Sequence, residues 1–359
     1  MMRLLKRVKM WLHDVFCVGC KKKIAASYPA FDSCFYRSQL PKYSLGHIVP
    51  VTHYQMFGRY RGYLATNIID IKYCASKYGV PECDVVNEYI FRGRFEGWDT
   101  MSPNVLSLDE NTQEYLNSPR KGESQYAVAL HLYHYDLWEE FEKNILEVDD
   151  LVDLYVNLID HGGEEADLIA KKIRSSFPNA VILKFPNHGR DILPFMQLVR
   201  SGALSSYKAI IKLHTKKSRG AERWRERLVN SIMYDREHVL SLFQIMENED
   251  VGLIGSEKDI HGGYNLWKYN IEGVKKMVAQ LGLSYAGLDS YPDFLAGSIF
   301  IIKGSVLDAS KNLEFESCDW PPEAGQQDGT VGHQVERLFS ILCYEKGLAV
   351  RGVSPPSDQ

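Results

Sequence analysis

From about residue 124 onward, apolar runs of strand length alternate with stretches that carry helical periodicity. Strands that are separated by helices usually pair in parallel, so this alternation predicts an α/β domain with a mainly parallel sheet and helices on both faces. The predicted strands are Tyr126–Tyr133, Asp153–Ile159, Ala180–Phe185, Lys208–His214, Val251–Gly255 and Phe294–Ile302. The predicted helices are Asp136–Asn144, Glu164–Ser175, Pro194–Ser201, Glu222–Met233, His238–Asn248, Ile271–Leu281 and Gly329–Lys346.

Ligands of such sheets bind beyond the carboxyl ends of the strands, near the point where the strand order reverses. No Gly-x-Gly-x-x-Gly follows the first predicted strand, and the sequence contains no Walker motif and no serine nucleophile elbow. These absences disfavour dinucleotide binding and the usual hydrolases. Polar residues that stand at the ends of successive predicted strands are His131, Tyr133, Asp160, His161, Asn187–Asp191 and His214–Lys217.

The segment Asn187-His-Gly-Arg-Asp-Ile192 lies between a predicted strand and a predicted helix. Backbone amides at a helix N-terminus and the guanidinium of Arg190 suit a phosphate, while Asp191 can accept a hydrogen bond from a sugar or ribose hydroxyl. Asn187, Arg190 and Asp191 are therefore candidate donor-binding residues. A structural interpretation stays open, in which Asp191 caps the helix or pairs with Arg190.

A basic cluster closes the next predicted strand at His214, Lys216 and Lys217. Breaking the bond between a sugar and a nucleoside diphosphate builds negative charge on the leaving phosphate, which a metal ion or fixed cations must stabilise. We assign Lys216 and Lys217 to that task and place His214 on the donor side. The alternative is a solvated basic start of the following helix.

A candidate general base is Asp328, which lies at the start of the last predicted helix. In an inverting transfer, a carboxylate takes the proton of the attacking hydroxyl; a helix cap is the competing role of Asp328. Small residues within a strand let an acceptor approach closely, or else mark a bulge. The candidate acceptor-side residues are Gly297, Ser298, His333 and Glu336.

An internal repeat marks a smaller N-terminal domain, because residues 54–63 and 89–98 share one pattern of aromatic residues, glycine and arginine. Two tandem helical units over 31–102 explain this pattern, and their aromatic and arginine side chains serve either packing or stacking on sugar rings. Residues 103–123 are predicted to be a linker, and the larger domain then covers 124–353.

Residues 1–30 carry seven basic side chains against one acidic side chain, with apolar residues at helical spacing. This pattern is typical of a helix on an anionic membrane surface, although a solvated helix is equally consistent with it. The net charge of −4 argues against a nucleic-acid partner, and the seven cysteines show no disulfide framework. No apolar run is long enough to span a membrane, so we expect a cytoplasmic protein, either free or peripheral on the inner face of the cell membrane.

Six ordered blocks between about Tyr126 and Val353 resemble the rhamnan synthesis protein F family of bacterial polysaccharide transferases. The blocks are Tyr126-Ala-Val with His131-Leu-Tyr133, Asp153-Leu-Tyr-Val156, Asn187 to Phe195, Lys212 to Ser218 with Trp224-Arg225, Ala296-Gly-Ser298 with Phe300, and Asp328-Gly-Thr330 with His333 and Glu336-Arg337.

The resemblance implies a GT-A-like glycosyltransferase that moves rhamnose or another hexose from a nucleotide-diphosphate sugar to a lipid-linked or polysaccharide acceptor. His188 departs from the family pattern, which usually has arginine there. No Asp-x-Asp motif follows the fourth strand, so no cofactor is assigned and a divalent metal is left open. Two alternatives remain: a non-catalytic carbohydrate-binding or assembly subunit, and a sugar-phosphate transferase.

Overall fold

The computed structural model describes 31, 36–37, 39–40, 49–61, 63–66, 69–100, 108–120, 122–161, 164–215, 217, 222–315, 320 and 328–356. The basic segment 1–30 lies outside these residues, so its predicted membrane contact stays a prediction. The described residues form two compact units, one from those up to 100 with 320 and 328–330, the other from 108–315 with 331–356. The domain boundaries expected from the sequence also stay predictions.

The first unit is helical where the structure describes it. Its helices are α1 (Pro50–Met56), α2 (Ile71–Tyr78), α3 (Val85–Glu88) and α4 (Arg94–Glu96), with a π-helical turn at Tyr89–Gly93 and 3₁₀ turns at Gly58–Tyr60 and Glu82–Asp84. Buried aromatic side chains pack its core, and Tyr36 lies so close to Gly58 that a Cβ there would be 2.1 Å from the tyrosine hydroxyl. The repeat therefore has glycine where an aromatic side chain covers the backbone.

The second unit contains the sheet. Its strands are β1 (Tyr126–Leu132), β2 (Val152–Asp160), β3 (Val181–Pro186), β4 (Ala209–His214), β5 (Val251–Ser256), β6 (Ile260–His261), β7 (Phe294–Leu295), β8 (Phe300–Lys303) and β9 (Ala349–Val353). Its α-helices are α5 (Glu110–Asn117), α6 (Trp138–Leu146), α7 (Glu165–Ser176), α8 (Ile192–Ser201), α9 (Glu222–Ile232), α10 (Arg236–Asn248), α11 (Tyr264–Trp267), α12 (Ile271–Gln280), α13 (Gly304–Leu307) and α14 (Val331–Glu345). Four 3₁₀ turns are Tyr135–Leu137, Glu257–Asp259, Ala286–Ser290 and Asp308–Ser310.

Seven of these strands pair in the order β3-β2-β1-β4-β8-β5-β9, and β6 pairs with β7 in a small second sheet. The pairs β1–β2, β1–β4, β2–β3 and β5–β9 are parallel, whereas β8 runs antiparallel to both of its neighbours. The predicted α/β class with a mainly parallel sheet is confirmed.

Side chains alternate between the two faces of the sheet, as strand geometry requires. On one face, Ile211 and Ile301 join a large apolar cluster with side chains of α6, α7, α9 and α10. On the other face, the ring of Phe300 contacts the rings of Phe195 in α8 and Phe339 in α14, with centroids 6.3 and 5.3 Å away. Helices therefore cover both faces, and the α8–α14 face carries the polar residues described below.

The single predicted strand Phe294–Ile302 was wrong. The chain leaves β7 at Leu295, passes through Gly297 and Ser298 with left-handed φ angles of 99° and 54°, and enters β8 at Phe300. A left-handed backbone cannot continue a strand, and it favours glycine. Strand β9 was not predicted, since it is short and includes Arg351 and Gly352.

Candidate functional site

The strand order places a switch point between β1 and β4. The chain moves outward from β1 through β2 to β3 and then crosses back to β4 on the other side of β1. At the carboxyl ends of these central strands, His131 and His214 are paired residues of the parallel register. Thr215 joins the two ends, because its hydroxyl oxygen accepts hydrogen bonds from the amides of Tyr133 and His134 at 2.9 and 3.0 Å. A crevice at such a point is where doubly wound sheets bind ligands.

A buried ion pair lies at the centre of this region. The side chain of Lys212 is 1% exposed, and its ammonium donates a hydrogen bond to the Asp191 carboxylate. The ammonium also donates to the backbone oxygen of Ser298 at 3.0 Å and lies 5.4 and 5.8 Å from the ring centres of Phe195 and Phe300. One lysine on β4 thus connects the turn after β3 with the turn before β8.

Two histidines complete the cluster around Asp191. His214 Nδ1 lies 3.4 Å from Asp191 Oδ2, and both His214 and His131 are buried. Within the part of the chain that the structure describes, His131 Nδ1 has no hydrogen-bond partner. Lys212 and His214 lie on one face of β4 because they are two residues apart, and the register brings His131 to the same face.

Burial and charge set the protonation states of this cluster. Burial alone would raise the pKa of Asp191, but the positive charge of Lys212, with smaller contributions from the two histidines, holds it well below its usual range. Burial lowers the pKa of His131 to about 3, and Lys212 and His214 act in the same direction against the opposing effect of Asp191. At neutral pH, Asp191 is therefore ionised and His131 is neutral.

The turn from Asn187 to Asp191 has an unusual backbone. Gly189 and Arg190 both have positive φ angles, 68° and 54°, and Arg190 is therefore in a conformation that few non-glycine residues adopt. The side chain of Asp191 stands at the N-cap of α8 without making a capping hydrogen bond. The capping hydrogen bond that the sequence left open is thus not formed, and the Asp191 carboxylate pairs with Lys212. Asn187 is exposed and Arg190 is half-buried.

A second carboxylate holds the neighbouring turn. Glu336 of α14 accepts hydrogen bonds from the Gly297 amide at 2.8 Å and from the Ser298 hydroxyl at 3.1 Å. Burial raises the pKa of Glu336, and Asp191 adds to the rise, whereas Arg337, Gly297 and Ser298 oppose it. Gly297, Ser298 and Glu336, predicted together on the acceptor side, are in contact in the structure and adjoin Lys212.

The structure describes one of the two predicted phosphate lysines. Lys216 lies outside the described residues, and Lys217 donates a hydrogen bond to Asp136 in the turn after β1. Two arginines in α9 have structural partners, Arg225 with Glu140 at 3.0 Å and Arg227 with Asp259 at 2.9 Å. The cation that the structure places deepest in the site is Lys212, which sequence reasoning had not selected.

Asp328 and His333 are the two remaining residues of the predicted site. Asp328 belongs to the first compact unit, so its role as a base stays a prediction. His333 lies on α14, where its backbone oxygen accepts a hydrogen bond from Arg337 at 2.7 Å.

Among the described residues, no group of three or more histidine, cysteine or acidic side chains is arranged to hold a metal ion. Within the same residues, no helix has the length and hydrophobicity needed to cross a membrane.

The fold and the cluster define an α/β protein with a buried polar site at a switch point of the sheet. The model of the family "Rhamnan synthesis protein F" matches residues 27–348. Because the match covers most of the chain, the protein belongs to this family, which is associated with polysaccharide synthesis. The resemblance found in the sequence is confirmed.

Two distant relatives come from two strains of Xanthomonas campestris pv. campestris, and each is described as uncharacterized protein WxcX. Each is 23% identical to this chain over 234 residues, which are 63% of the chain and 32% of the relative. The chain thus spans about a third of the length of these curated relatives.

Substitution of Lys212 tests the ion pair. Lys212→Met keeps much of the apolar stem but leaves the Asp191 carboxylate buried without its ammonium, so we expect the free energy of unfolding to fall by about 3–5 kcal/mol. Lys208→Met is a matched control, because Lys208 bonds Glu247 at 2.8 Å on the surface, and its loss should cost less than about 1 kcal/mol. Urea denaturation measures both, and equal small losses would contradict a buried pair.

The neutral state of His131 makes stability depend on pH. Its folded pKa lies below that of an unfolded histidine, about 6.5, so below pH 6.5 the unfolded chain takes up a proton that the folded chain does not. This group should therefore destabilise the fold by about 1.4 kcal/mol for each pH unit between 6.5 and 3. Urea denaturation at pH 7, 6 and 5 should show a slope that is shallower by this amount in His131→Gln. Parallel slopes for the two proteins would show that His131 is accessible to protons in the folded state.

Proposed function

We propose that this protein is a GT-A-like, inverting glycosyltransferase, which moves rhamnose or another hexose from a nucleotide-diphosphate sugar to a growing cell-surface polysaccharide. The observation that carries the proposal is the charged cluster of Lys212, Asp191 and His214 at the switch point of the sheet. Membership of a polysaccharide-synthesis family supports a sugar substrate. The site would be reached from the inner side of the membrane, where nucleotide sugars are made.

The donor would lie across the carboxyl ends of β1 and β4. The first turn of α8 has no side-chain cap, and backbone amides at such an N-terminus attract phosphate oxygens. Arg190 lies in this turn, where its backbone has a left-handed φ angle. The buried Lys212 would add positive potential from within the sheet. Asn187 would bind the donor from the exposed side of the turn, and Lys216 and Lys217 would stabilise the leaving diphosphate.

Asp191 would orient the side chains of Lys212 and His214 in the donor site. Its carboxylate is paired with the Lys212 ammonium and lies 3.4 Å from His214 Nδ1, so it fixes both at the carboxyl end of β4. His131, with one ring nitrogen unsatisfied in a buried site, is suited to meet a polar group of the ligand. At the rim, the rings of Tyr133 and His161 meet edge to face at 4.6 Å, which suits contact with a nucleobase.

The acceptor would enter beside Gly297 and Ser298. Glu336 fixes this turn through two hydrogen bonds, and His333 lies one helical turn earlier on α14. Asp328 remains our candidate for the general base. The raised pKa of the buried Glu336 makes it the second candidate for proton transfer, because groups with shifted pKa values next to a cleft are often catalytic.

The first experiment measures release of nucleoside diphosphate from a panel of nucleotide sugars, with and without a lipid-linked acceptor. We expect release that depends on the acceptor, with kcat lowered by about 10²–10⁴ in Asp328→Asn because a general base is lost. Asp308→Asn, at an exposed position of the other compact unit, is the control and should keep wild-type kcat.

The other products decide between the alternatives. Release of nucleoside monophosphate would indicate a sugar-phosphate transferase. Binding of a nucleotide sugar without any release would indicate a non-catalytic subunit. Loss of activity with a chelator would show that a metal ion, and not lysines alone, stabilises the leaving group.

A further inference from the structure

We infer that Tyr264 and Tyr291, named here the aromatic platform, bind a sugar ring of the acceptor chain next to the candidate active site. This inference rests on the proposed function for its substrate class. Tyr264 is 59% exposed, and its ring meets that of Tyr291 edge to face, at 5.4 Å and 74°. Each ring of such a pair keeps at least one face that its partner does not cover, so the exposed Tyr264 can offer a face to a sugar ring.

The platform is rigidly built. Its two segments are joined by a hydrogen bond from the Gly263 amide to the Tyr291 oxygen at 2.9 Å, and by one from the buried Trp267 indole to the Pro292 oxygen at 2.8 Å. Tyr291 has a φ of 53°, a left-handed conformation that a bulky side chain rarely adopts. The fold thus holds an aromatic residue at a position where glycine or asparagine would be easier to accommodate.

The platform and the cluster are held by consecutive residues of α14. Glu336 bonds the Gly297–Ser298 turn, whose Ser298 oxygen accepts from Lys212. The next residue, Arg337, donates two hydrogen bonds to the Leu266 oxygen, at 3.1 and 2.7 Å, and its guanidinium lies 4.3 Å from the centre of the Phe294 ring. The turn assigned to the acceptor and the segment of the platform are therefore both held by neighbouring residues of one helix.

The surrounding chemistry favours a sugar over a membrane. A pyranose offers an apolar C–H face to an aromatic ring and hydroxyl groups to neighbouring carboxylates. Asp293 packs on this segment, since a Cβ at Gly262 would lie 2.4 Å from its Oδ1 atom, and the side chain of Asp289 is 82% exposed nearby in the chain. The Lys275 ammonium pairs with Asp289 at 2.8 Å, so these side chains carry both charges and not the excess of basic groups that an anionic lipid surface attracts.

The test measures binding of a rhamnose trisaccharide to the full chain, by isothermal titration calorimetry and by saturation-transfer NMR. We expect Tyr264→Ala to weaken binding about fivefold to tenfold, while Tyr264→Phe keeps it because the ring is retained. Tyr234→Ala is the matched control, because Tyr234 is also exposed, at 42%, and meets a histidine ring edge to face. Its affinity should equal that of the wild type.

A second variant separates the platform from simple loss of structure. Tyr291→Gly removes a ring but relieves the left-handed backbone, so we expect weaker trisaccharide binding without a lower melting temperature. Binding of the nucleotide sugar without acceptor should be unchanged in all of these variants. Equal trisaccharide affinity of wild type and Tyr264→Ala would overturn the platform and leave the transferase proposal intact. Binding of anionic vesicles that Tyr264→Ala abolishes, with no trisaccharide binding to wild type, would assign the surface to lipid instead.

Discussion

Lys212 places a positive charge inside a strand whose six residues are all buried. Such a charge is tolerated only with a close partner, and Asp191 supplies it. The same ammonium binds the backbone oxygen of Ser298, which belongs to the turn held by Glu336. Three segments that are distant in the sequence, the turn after β3, the turn before β8 and helix α14, are thereby fixed around one atom.

A buried ion pair adds little net stability compared with an apolar pair of the same volume, but it defines one arrangement of its surroundings. Here the arrangement lies at the switch point, so the charges that organise the fold stand where a ligand is expected. Arg190 and Ser298, whose backbones are left-handed, belong to the two turns that Lys212 connects. Strained backbone of this kind is concentrated at functional sites, which is consistent with a binding role.

The sequence predicted the parallel part of the sheet well, for a physical reason. Strands β1 to β5 are mostly apolar runs that are bounded by turn residues, so the sequence pattern alone is enough to recognise them. The pattern around Gly297 and Ser298 is equally apolar, and only the left-handed backbone, set by Leu228 packing against Gly297 and by the bonds to Glu336, divides it into two strands. The residues next to Gly297 in the sequence do not indicate these distant contacts.

The candidate site was likewise predicted in part, where residue types alone were informative, and missed where a distant contact decides. The turn at Asn187–Asp191 was recognised from its residue types, but the partner of Asp191 was sought in Arg190, beside it in the chain. The sequence did contain the needed signal, because a lysine between Ile211 and Leu213 in a buried strand requires a carboxylate on its own face. Asp328 belongs to the other compact unit, and its role as a base stays a prediction.

The central claim is that a nucleotide-diphosphate sugar binds across the carboxyl ends of β1 and β4. Amide hydrogen exchange of the full chain, with and without rhamnose and glucose nucleotide-diphosphate donors, measures this directly. Binding should slow exchange in peptides that cover 131–135, 187–193 and 213–217, while peptides at the opposite ends of the same strands should be unchanged. Protection confined to those opposite ends, with none at the three segments, would contradict the placement of the site.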